Sequence, residues 1–303
     1  MDASFSPPNA PTLPSRREFD EEAYLRLHPD VAAAVRAGIT DSGWQHFTLH
    51  GAREGRSWIA RPDPLIGVSR EISPRDEMLA GNEAHYFDVG ESALRCIESA
   101  LFTANRSPAT VHQILDLPCG HGRVMRFLRK RFPHARLTAC DLNLDGVEFC
   151  ARTFGAVPLA SSVQVDAIPL HADFDLIWCG SLLTHLPAEA CRAFLRRFHR
   201  ALQPDGLLVF TMHGRHYETE LTRGHHRCGL NPAQIARLLA DYQQHDFGYV
   251  DYDDQPGYGI SLARPGFVME KLFPAADWRV ITYHELGWDK RQDVICLQKQ
   301  AGR

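Results

Sequence analysis

The chain has 303 residues, and its 33 basic and 37 acidic side chains leave a net charge of −4 with histidine neutral. A general nucleic-acid-binding protein usually has a strongly basic face, so this balance argues against that class. The sequence contains no apolar run near the roughly 20 residues that cross a bilayer, and its N-terminus lacks the apolar stretch of a secretory signal. These properties predict a cytoplasmic protein without a membrane span.

Eight cysteines are distributed along the chain without any Cys-x-x-Cys pair. Most of them fall in apolar strand or helix patterns, where a reduced cysteine behaves as a small apolar side chain. A disulfide framework or a structural zinc site is therefore not expected, and no metal is predicted.

The first 60 residues predict two regions. Residues 1–18 contain four prolines and several serines without any periodicity, which predicts a disordered arm. Residues 19–58 predict a small helical module, with Asp20 as the N-cap of its first helix and Gly38 as the end of its second. Forty residues bury little apolar surface, so we expect this module to lean on its neighbour. Residues 59–84 are predicted to be a linker.

After a helical stretch from about residue 75 to 106, apolar strands and amphipathic helices alternate to the end of the chain. This alternation predicts an α/β domain over residues 85–303, with a mostly parallel sheet and helices on both faces. Strands are predicted at 114–117, 137–140, 157–160, 174–179 and 207–212, and helices at 124–132, 146–153, 187–202 and from Asn231 onward. Aromatic-rich segments follow at 247–252 and 278–284, and the last apolar segment is 294–298.

The first predicted strand leads into a turn that carries the clearest chemical signal. The strand ends in Asp116, the turn contains Gly120 and Gly122, and an amphipathic helix follows. Glycines at these positions allow the backbone to approach a ligand without a Cβ clash. The carboxyl end of a strand in an open parallel sheet is where such folds bind ligands.

Two cofactor classes fit this turn, because Asp141 follows at the end of the next strand and can accept hydrogen bonds from both hydroxyls of a ribose. A dinucleotide favours Gly-x-Gly-x-x-Gly, whose third glycine brings a helix N-terminus to the pyrophosphate. Here Met125 stands at that third position. S-adenosylmethionine carries an ammonium instead of a phosphate, and Asp116 is suited to that ammonium. The local chemistry favours the methyl donor.

At this point the sequence resembles the class I S-adenosylmethionine-dependent methyltransferases over residues 85–300. The resemblance implies a Rossmann-like, seven-stranded, mostly parallel sheet that binds S-adenosylmethionine. Four stretches match in the family's order: DLPCGHG from Asp116 to Gly122, ACDLN around Asp141, FDLIWCGSLLTHL from Phe174 to Leu186, and LQPDGLLVF from Leu202 to Phe210.

The resemblance also implies a set of cofactor-binding positions. One departs from the family pattern, because Pro118 replaces the first glycine of the turn and fixes its own φ near −65°. Asp166 is the candidate for the acidic residue that contacts adenine. The full predicted set is Asp116, Pro118, Cys119, Gly120, Gly122, Asp141, Leu142, Asp166 and Cys179.

The acceptor side is predicted from the same edge of the sheet. His185 follows the fourth strand and His213 ends the fifth, so either can serve as the general base for a hydroxyl acceptor. His185 can equally cap or pack a helix start. The predicted acceptor-binding residues are Ser181, Tyr258, Trp288 and Asp289. Aromatic and acidic side chains together suit a hydroxylated substrate, and they equally suit a structural hairpin with polar turns.

Three functions remain open at this point. The first is O-methylation of a glycan or other polyhydroxylated acceptor. It draws on residues 19–58, which resemble a short helical module of bacterial glycosyltransferase-associated proteins and imply a protein partner. The second is N- or O-methylation of a small molecule or natural product, which predicts an apolar acceptor cavity. The third is a non-catalytic cofactor-binding scaffold, for which Pro118 is the main argument.

Overall fold

The computed structural model describes residues 13, 14, 16, 18–60, 65–171 and 173–300. Most of the predicted arm at 1–18 lies outside these residues. The chain divides into two units, Met1–Gly67 and Val68–Arg303. None of the described helices is both long enough and apolar enough to cross a bilayer.

The first unit consists of short helices, as the sequence predicts. Helices α1 (Glu21–Leu27), α2 (Pro29–Arg36) and α3 (Gly43–His46) are followed directly by a π-helical turn, Phe47–Gly51. The Asp20 carboxylate accepts a hydrogen bond from the Ala23 amide at 2.9 Å and caps α1. A single aromatic cluster forms the core of this unit, with Phe19, Tyr24 and Phe47 buried and Trp44 and Trp58 packed against them.

The second unit is built on a seven-stranded sheet in the order β3-β2-β1-β4-β5-β9-β8. The first five strands pair in parallel, whereas β9 pairs antiparallel with both of its neighbours. The strands are β1 Gln113–Asp116, β2 Arg136–Asp141, β3 Val157–Ala160, β4 Phe174–Cys179, β5 Leu202–Met212, β8 Trp278–Trp288 and β9 Gln292–Lys299. The order reverses between β1 and β4, and this switch opens a crevice at their carboxyl ends.

Helices cover both faces of this sheet, and the predicted Rossmann-like fold is confirmed. One apolar core lies under α4 (Glu83–Thr103), α5 (Met125–Arg131) and α6 (Leu144–Phe154). The other lies under α7 (Ala188–Ala201) and α10 (Pro265–Lys271). The two faces of the sheet contribute side chains to the two cores, because a parallel sheet is covered on both faces.

A continuous insertion between β5 and α10, which we call the cap, comprises residues 215–263. It contains α8 (Arg215–Arg223), α9 (Pro232–His245) and a hairpin of β6 (Phe247–Tyr252) and β7 (Gln255–Ala263). The two ends of the cap meet, because the Ala263 amide donates to the His213 carbonyl at 2.9 Å.

The cap has an apolar cluster of its own. Tyr217 and Leu221 lie one turn apart on α8 and are buried together against α9 and the hairpin. The predicted start of α9 is present as a capping box, in which Asn231 and Gln234 exchange side-chain and backbone hydrogen bonds. The cap therefore packs as a small folded element rather than as a loose loop.

The segment that precedes α4 is tied to the second unit by a buried arginine. The Arg126 side chain, only 1% exposed, donates to the carbonyls of Ser69 and Glu71 at 2.9 and 3.0 Å. It also donates to the Tyr86 hydroxyl at 3.1 Å. A buried guanidinium is stable only when its donors are satisfied, so these contacts fix the chain from residue 69 onward. The C-terminal half of the predicted linker thus packs as part of this unit.

Candidate functional site

The Gly-containing turn lies at the carboxyl end of β1, where the sheet order reverses. Gly120 and Gly122 have φ of +50° and +79°, in the left-handed region that favours glycine. A Cβ on Gly122 would lie 2.3 Å from the Phe154 ring of α6, so this glycine allows the helix to pack close. A Cβ on Gly120 would meet nothing within 4 Å. The turn therefore presents open backbone on the side away from α6.

The two residues before Gly120 hold the turn against the sheet. The Leu117–Pro118 peptide is cis. The Cys119 amide donates to the Cys140 carbonyl of β2 at 3.1 Å. A hydrogen bond with Cys150, together with burial, raises the pKa of the Cys119 thiol. Cys119 is therefore a packed, protonated thiol whose backbone fixes the turn.

Asp116 is a buried carboxyl group without a partner. Its side chain is 1% exposed, and neither oxygen has a hydrogen bond to any described residue. Burial, and secondly the charge of Asp141, raise the pKa of Asp116 well above its ordinary value. Buried polar groups in native proteins are almost always paired. A cationic donor from a ligand would satisfy this carboxyl group and would stabilise its ionised form.

Asp141, at the end of β2, faces the same turn. One carboxylate oxygen accepts from the Gly120 amide at 2.8 Å and the other from the Asn143 amide at 2.9 Å. These two backbone donors fix the orientation of the carboxylate and leave lone pairs for further donors. Beside it, Leu142 is 59% exposed, and Leu144 is also exposed. The Asp141 carboxylate, with lone pairs left for hydrogen-bond donors, thus lies beside an exposed apolar surface.

Two further predicted cofactor positions have different surroundings. Asp166 lies in a 3₁₀ turn, Val165–Ala167, and its exposed carboxylate pairs with Arg200 of α7. Cys179 ends β4, and its side chain is completely buried in the core under α7. Burial, and then the neighbouring Cys191, raise the pKa of its thiol well above the ordinary value. The Cys179 side chain belongs to the core, so its predicted contact with the cofactor, which stays a prediction, would have to come from its backbone.

His185 lies in a 3₁₀ turn after β4 and contacts the cap. Its Nδ1 is 2.7 Å from the Gly259 carbonyl oxygen, and its ring stacks on Tyr258 with centroids 5.0 Å apart. A carbonyl only accepts, so Nδ1 carries the proton and Nε2 of the neutral ring keeps its lone pair. Burial lowers the pKa of His185 below its ordinary value, although the bond to Gly259 opposes that shift. His185 is thus held as a neutral imidazole.

His213, immediately after β5, is the second histidine of the site. Its ring packs against Tyr217 with centroids 3.7 Å apart, and its centroid is 6.1 Å from that of His185. Burial, and secondly His185, lower the pKa of His213 well below its ordinary value. Its Nδ1 is buried without a hydrogen-bond partner among the described residues. His213 is thus a buried, neutral imidazole beside His185.

Both histidines line a cavity of about 420 Å³ between the sheet edge and the cap. The size is within the usual range for a small-molecule site. The lining combines three histidines with two tyrosines, and the part of it that the structure describes contains no carboxylate. It consists of Ser181, His185, His213, Tyr217, His226, Cys228, Gly229, Tyr252, Ile260 and Gln292.

One wall of this cavity is a polar network that the sequence revealed only in part. Ser181, with φ of +58°, donates its amide to the Thr211 hydroxyl at 2.8 Å. Gln292 donates to the Ser181 hydroxyl at 3.1 Å and accepts from Thr211 at 2.6 Å. The predicted Ser181 thus lies in the cavity wall. Gln292 was missed because it lies more than 100 residues away, at the start of β9.

Of the other three predicted acceptor residues, none is in the described cavity lining. Tyr258 lies beside the cavity, stacked on His185, whereas Trp288 and Asp289 have other surroundings. Trp288 is 4% exposed, donates its indole N–H to the Val89 carbonyl at 3.0 Å and packs edge-on against Trp178. Its ring is packed in the core, and its predicted role in acceptor binding stays a prediction. The Asp289 carboxylate lies 3.7 Å from His85 and 4.0 Å from Arg291 in the β8–β9 turn. No group of three metal-ligating side chains occurs among the described residues.

Comparison with known proteins agrees with this geometry. Residues 114–206 match the family model described as a methyltransferase domain. A fatty-acid O-methyltransferase of Mycolicibacterium smegmatis is 32% identical over 36% of this chain and 40% of its own length. A malonyl-[acyl-carrier protein] O-methyltransferase of Laribacter hongkongensis is 27% identical over 57% of this chain and 56% of its own length.

A solved S-adenosylmethionine-dependent methyltransferase from Clostridium acetobutylicum superimposes with a TM-score of 0.48 and 13% identity, over 70% of this chain and 92% of that one. The chain spans about two fifths to somewhat over half the length of the two curated relatives. The predicted domain type is confirmed, since residues 114–206 are a methyltransferase domain. The cap lies outside this match.

Proposed function

We propose that this chain is a methyltransferase that uses S-adenosylmethionine to methylate an oxygen of its acceptor by direct displacement. The observation that carries the proposal is the unpartnered, buried Asp116 beside a turn that Asp141 holds open. A dinucleotide would bring a pyrophosphate to this turn, where a carboxylate would repel it. An ammonium group supplies the cationic donor that Asp116 lacks.

The residues present fit S-adenosylmethionine from one end to the other. Asp116 would accept from the ammonium, and the backbone at Gly120 leaves room for the methionine chain. Asp141 would accept from the ribose hydroxyls, and the exposed Leu142 would cover one face of the adenine. Asp166 stays a proposal for the adenine amino group, and binding there requires that it exchange its Arg200 partner.

The chemical step needs alignment and a place for one proton. In direct displacement, the acceptor oxygen would take the methyl group as the carbon–sulfur bond of the donor breaks and S-adenosylhomocysteine leaves, and Nε2 of His185 would accept the hydroxyl proton. Because Nδ1 is bound to Gly259, this nitrogen is free and neutral near pH 7. His213 is the second candidate, because it lines the same cavity. The cap over the cavity would exclude water, which strengthens electrostatic interactions with the bound acceptor.

For the acceptor, we propose a hydroxylated molecule, with a glycan or other polyhydroxylated compound as the first choice. Support comes from the rings of Tyr252 and Tyr258 beside His185, which can stack on a sugar face. The resemblance of residues 19–58 to a glycosyltransferase-associated module adds to it, and their protein partner stays a prediction.

A small-molecule acceptor is the second candidate, and one observation favours it. The described cavity lining contains no carboxylate to bind sugar hydroxyls. Asp289 lies near His85, and Asp293 accepts a hydrogen bond from Tyr283. An aromatic hydroxyl would suit the same stacked rings. A non-catalytic scaffold is the third candidate, for which the replaced glycine at Pro118 remains the argument.

Calorimetric titration with S-adenosylmethionine and S-adenosylhomocysteine tests the cofactor first. Micromolar binding of both is expected, and absence of binding by the folded protein would overturn the proposal. Transfer of radiolabelled methyl groups then compares oligosaccharides with phenolic and aliphatic hydroxyl compounds. Label on a sugar supports the first acceptor class, label on a phenol the second. Cofactor binding without transfer to any of them supports the scaffold.

A further inference from the structure

His121, between the two glycines of the turn, points away from the open side. Its side chain is 5% exposed, and its ring lies edge-on to Phe149 of α6 with centroids 6.1 Å apart. Its Nε2 is 3.0 Å from a carboxylate oxygen of Asp145. A residue that the turn could have presented to a ligand instead joins the turn to the start of α6.

Asp145 occupies the N-terminal turn of α6, which also supports Asp141. The N-cap of this helix is Asn143, whose side chain accepts from the Gly146 amide and whose own amide donates to Asp141. A Cβ on Gly146 would lie 2.4 Å from the Gly120 carbonyl oxygen, so turn and helix are in direct contact. The His121–Asp145 bond therefore joins the two parts on which the geometry of Asp141 and Gly120 depends.

The charges around Asp145 favour this arrangement. Hydrogen bonding to His121, and then to Arg75, lowers the pKa of Asp145 despite the effect of burial. The negative charge also lies in the first turn of a helix, where the backbone dipole stabilises it. Arg75 is largely exposed, and an exposed ion pair contributes little. The buried His121 is thus the partner that matters.

We infer that His121 and Asp145 form a positioning pair that holds the glycine turn and Asp141 in the arrangement that binds the methyl donor. The inference rests on the proposed function and deepens it. Neither side chain touches the donor. The pair acts by keeping the turn against α6, so it contributes to donor affinity and leaves the chemical step at His185 unchanged.

Three variants and one control test this pair. His121→Phe keeps the ring packing on Phe149 and removes the hydrogen bond, and Asp145→Ala removes its partner. Each is expected to raise the Kd for S-adenosylhomocysteine roughly tenfold, since the bond involves a charged group. Asp145→Asn can still bond to the ring and is expected to restore affinity to within about threefold. Glu189→Ala, an acid in the first turn of α7 that also pairs with an arginine, is the matched control.

Calorimetry gives the Kd, and turnover at saturating S-adenosylmethionine gives kcat. The inference predicts a raised Kd with an unchanged kcat for His121→Phe and Asp145→Ala, partial rescue by Asp145→Asn, and no change in Glu189→Ala. Unchanged affinity in the first two variants would overturn it, and so would equal losses in Asp145→Asn and Asp145→Ala. Failure of the unaltered protein to bind would instead overturn the proposed function. Thermal melts identify a variant that does not fold. If His121→Phe does not, His121→Leu, which also cannot bond to Asp145, replaces it and is expected to raise the Kd to the same extent.

Discussion

The two sides of the site are built from different materials. On the proposed donor side, backbone amides orient the Asp141 carboxylate against a turn with two left-handed glycines, and the Asp116 carboxyl group is buried beside that turn. On the acceptor side, rings from the cap, such as Tyr217 and Tyr258, stack on histidines of the sheet edge. Backbone geometry suits one constant ligand, whereas packed side chains can change one at a time. The donor side should therefore tolerate little variation and the cap much more.

The largest expected effect is on turnover, and it comes from replacing the proposed base on the acceptor side. His185→Gln keeps a polar side chain of similar size but cannot take up a proton. Turnover should fall by roughly 10²–10⁴-fold, the usual contribution of a positioned base, while the Kd of the donor stays constant. Single-turnover methyl transfer together with calorimetry measures both quantities. An unchanged rate would move the base to His213, and His213→Gln is the variant to make next.

The next effect concerns the donor side alone. Asp141→Ala removes a carboxylate that two backbone amides orient, and hydrogen bonds to a charged group are worth roughly 1.5–3 kcal/mol. The Kd for S-adenosylhomocysteine should rise by about 10- to 150-fold on that basis. The acceptor KM at saturating donor should not move. A donor affinity equal to that of the unaltered protein would remove the ribose role from Asp141.

A smaller effect is expected from the cap. Tyr258→Ala removes the ring that stacks on His185, and such contacts contribute about 0.5–1.5 kcal/mol. The acceptor KM should rise by a few-fold, to about tenfold at most, with donor affinity unchanged. Tyr258→Phe keeps the ring and serves as the control. Weakened donor binding in Tyr258→Ala would contradict the separation of the two sides.

The smallest effect is in the pH dependence. His185 must be neutral to act as a base, and burial lowers its pKa below the ordinary value. The rate should therefore be nearly constant between pH 7 and 8 and should fall only as the pH drops through that lowered pKa. Rate measurements at saturating donor test this profile. A rate that still rises steeply above pH 7.5 would indicate a base with a higher pKa.

The same contrast explains what the sequence could reveal. The predicted donor-binding residues Asp116, Gly120, Gly122 and Asp141 lie within 26 residues of one another. A local pattern of strand, turn, helix and strand therefore predicts that they meet at one edge of the sheet. Gln292 enters the site only because β9 pairs with β5, and no local pattern encodes that pairing. Tyr217 was missed for a different reason. Most residues of α8 are charged or polar, so the sequence does not show that Tyr217 and Leu221 form a buried face.

Local composition does not show which way a side chain faces. Trp288 was placed in the acceptor site because aromatic and acidic residues cluster near it in sequence. Its indole instead donates to Val89 of α4, and that contact depends on how α4 packs across β8. Cys179 shows the same limit, because the backbone at the end of a strand can reach a site while its side chain faces the core.

The meeting of the two cap ends at His213 and Ala263 has a consequence for how acceptor preference can change. A segment that leaves and rejoins the domain at one hydrogen-bonded point can be replaced as a cassette, because its length and shape place no demand on the separation of the ends. Exchanging residues 215–263 for the corresponding insertion of another methyltransferase would graft a new acceptor wall onto an unaltered donor site. His213, at the junction, would be retained and would line the new acceptor cavity.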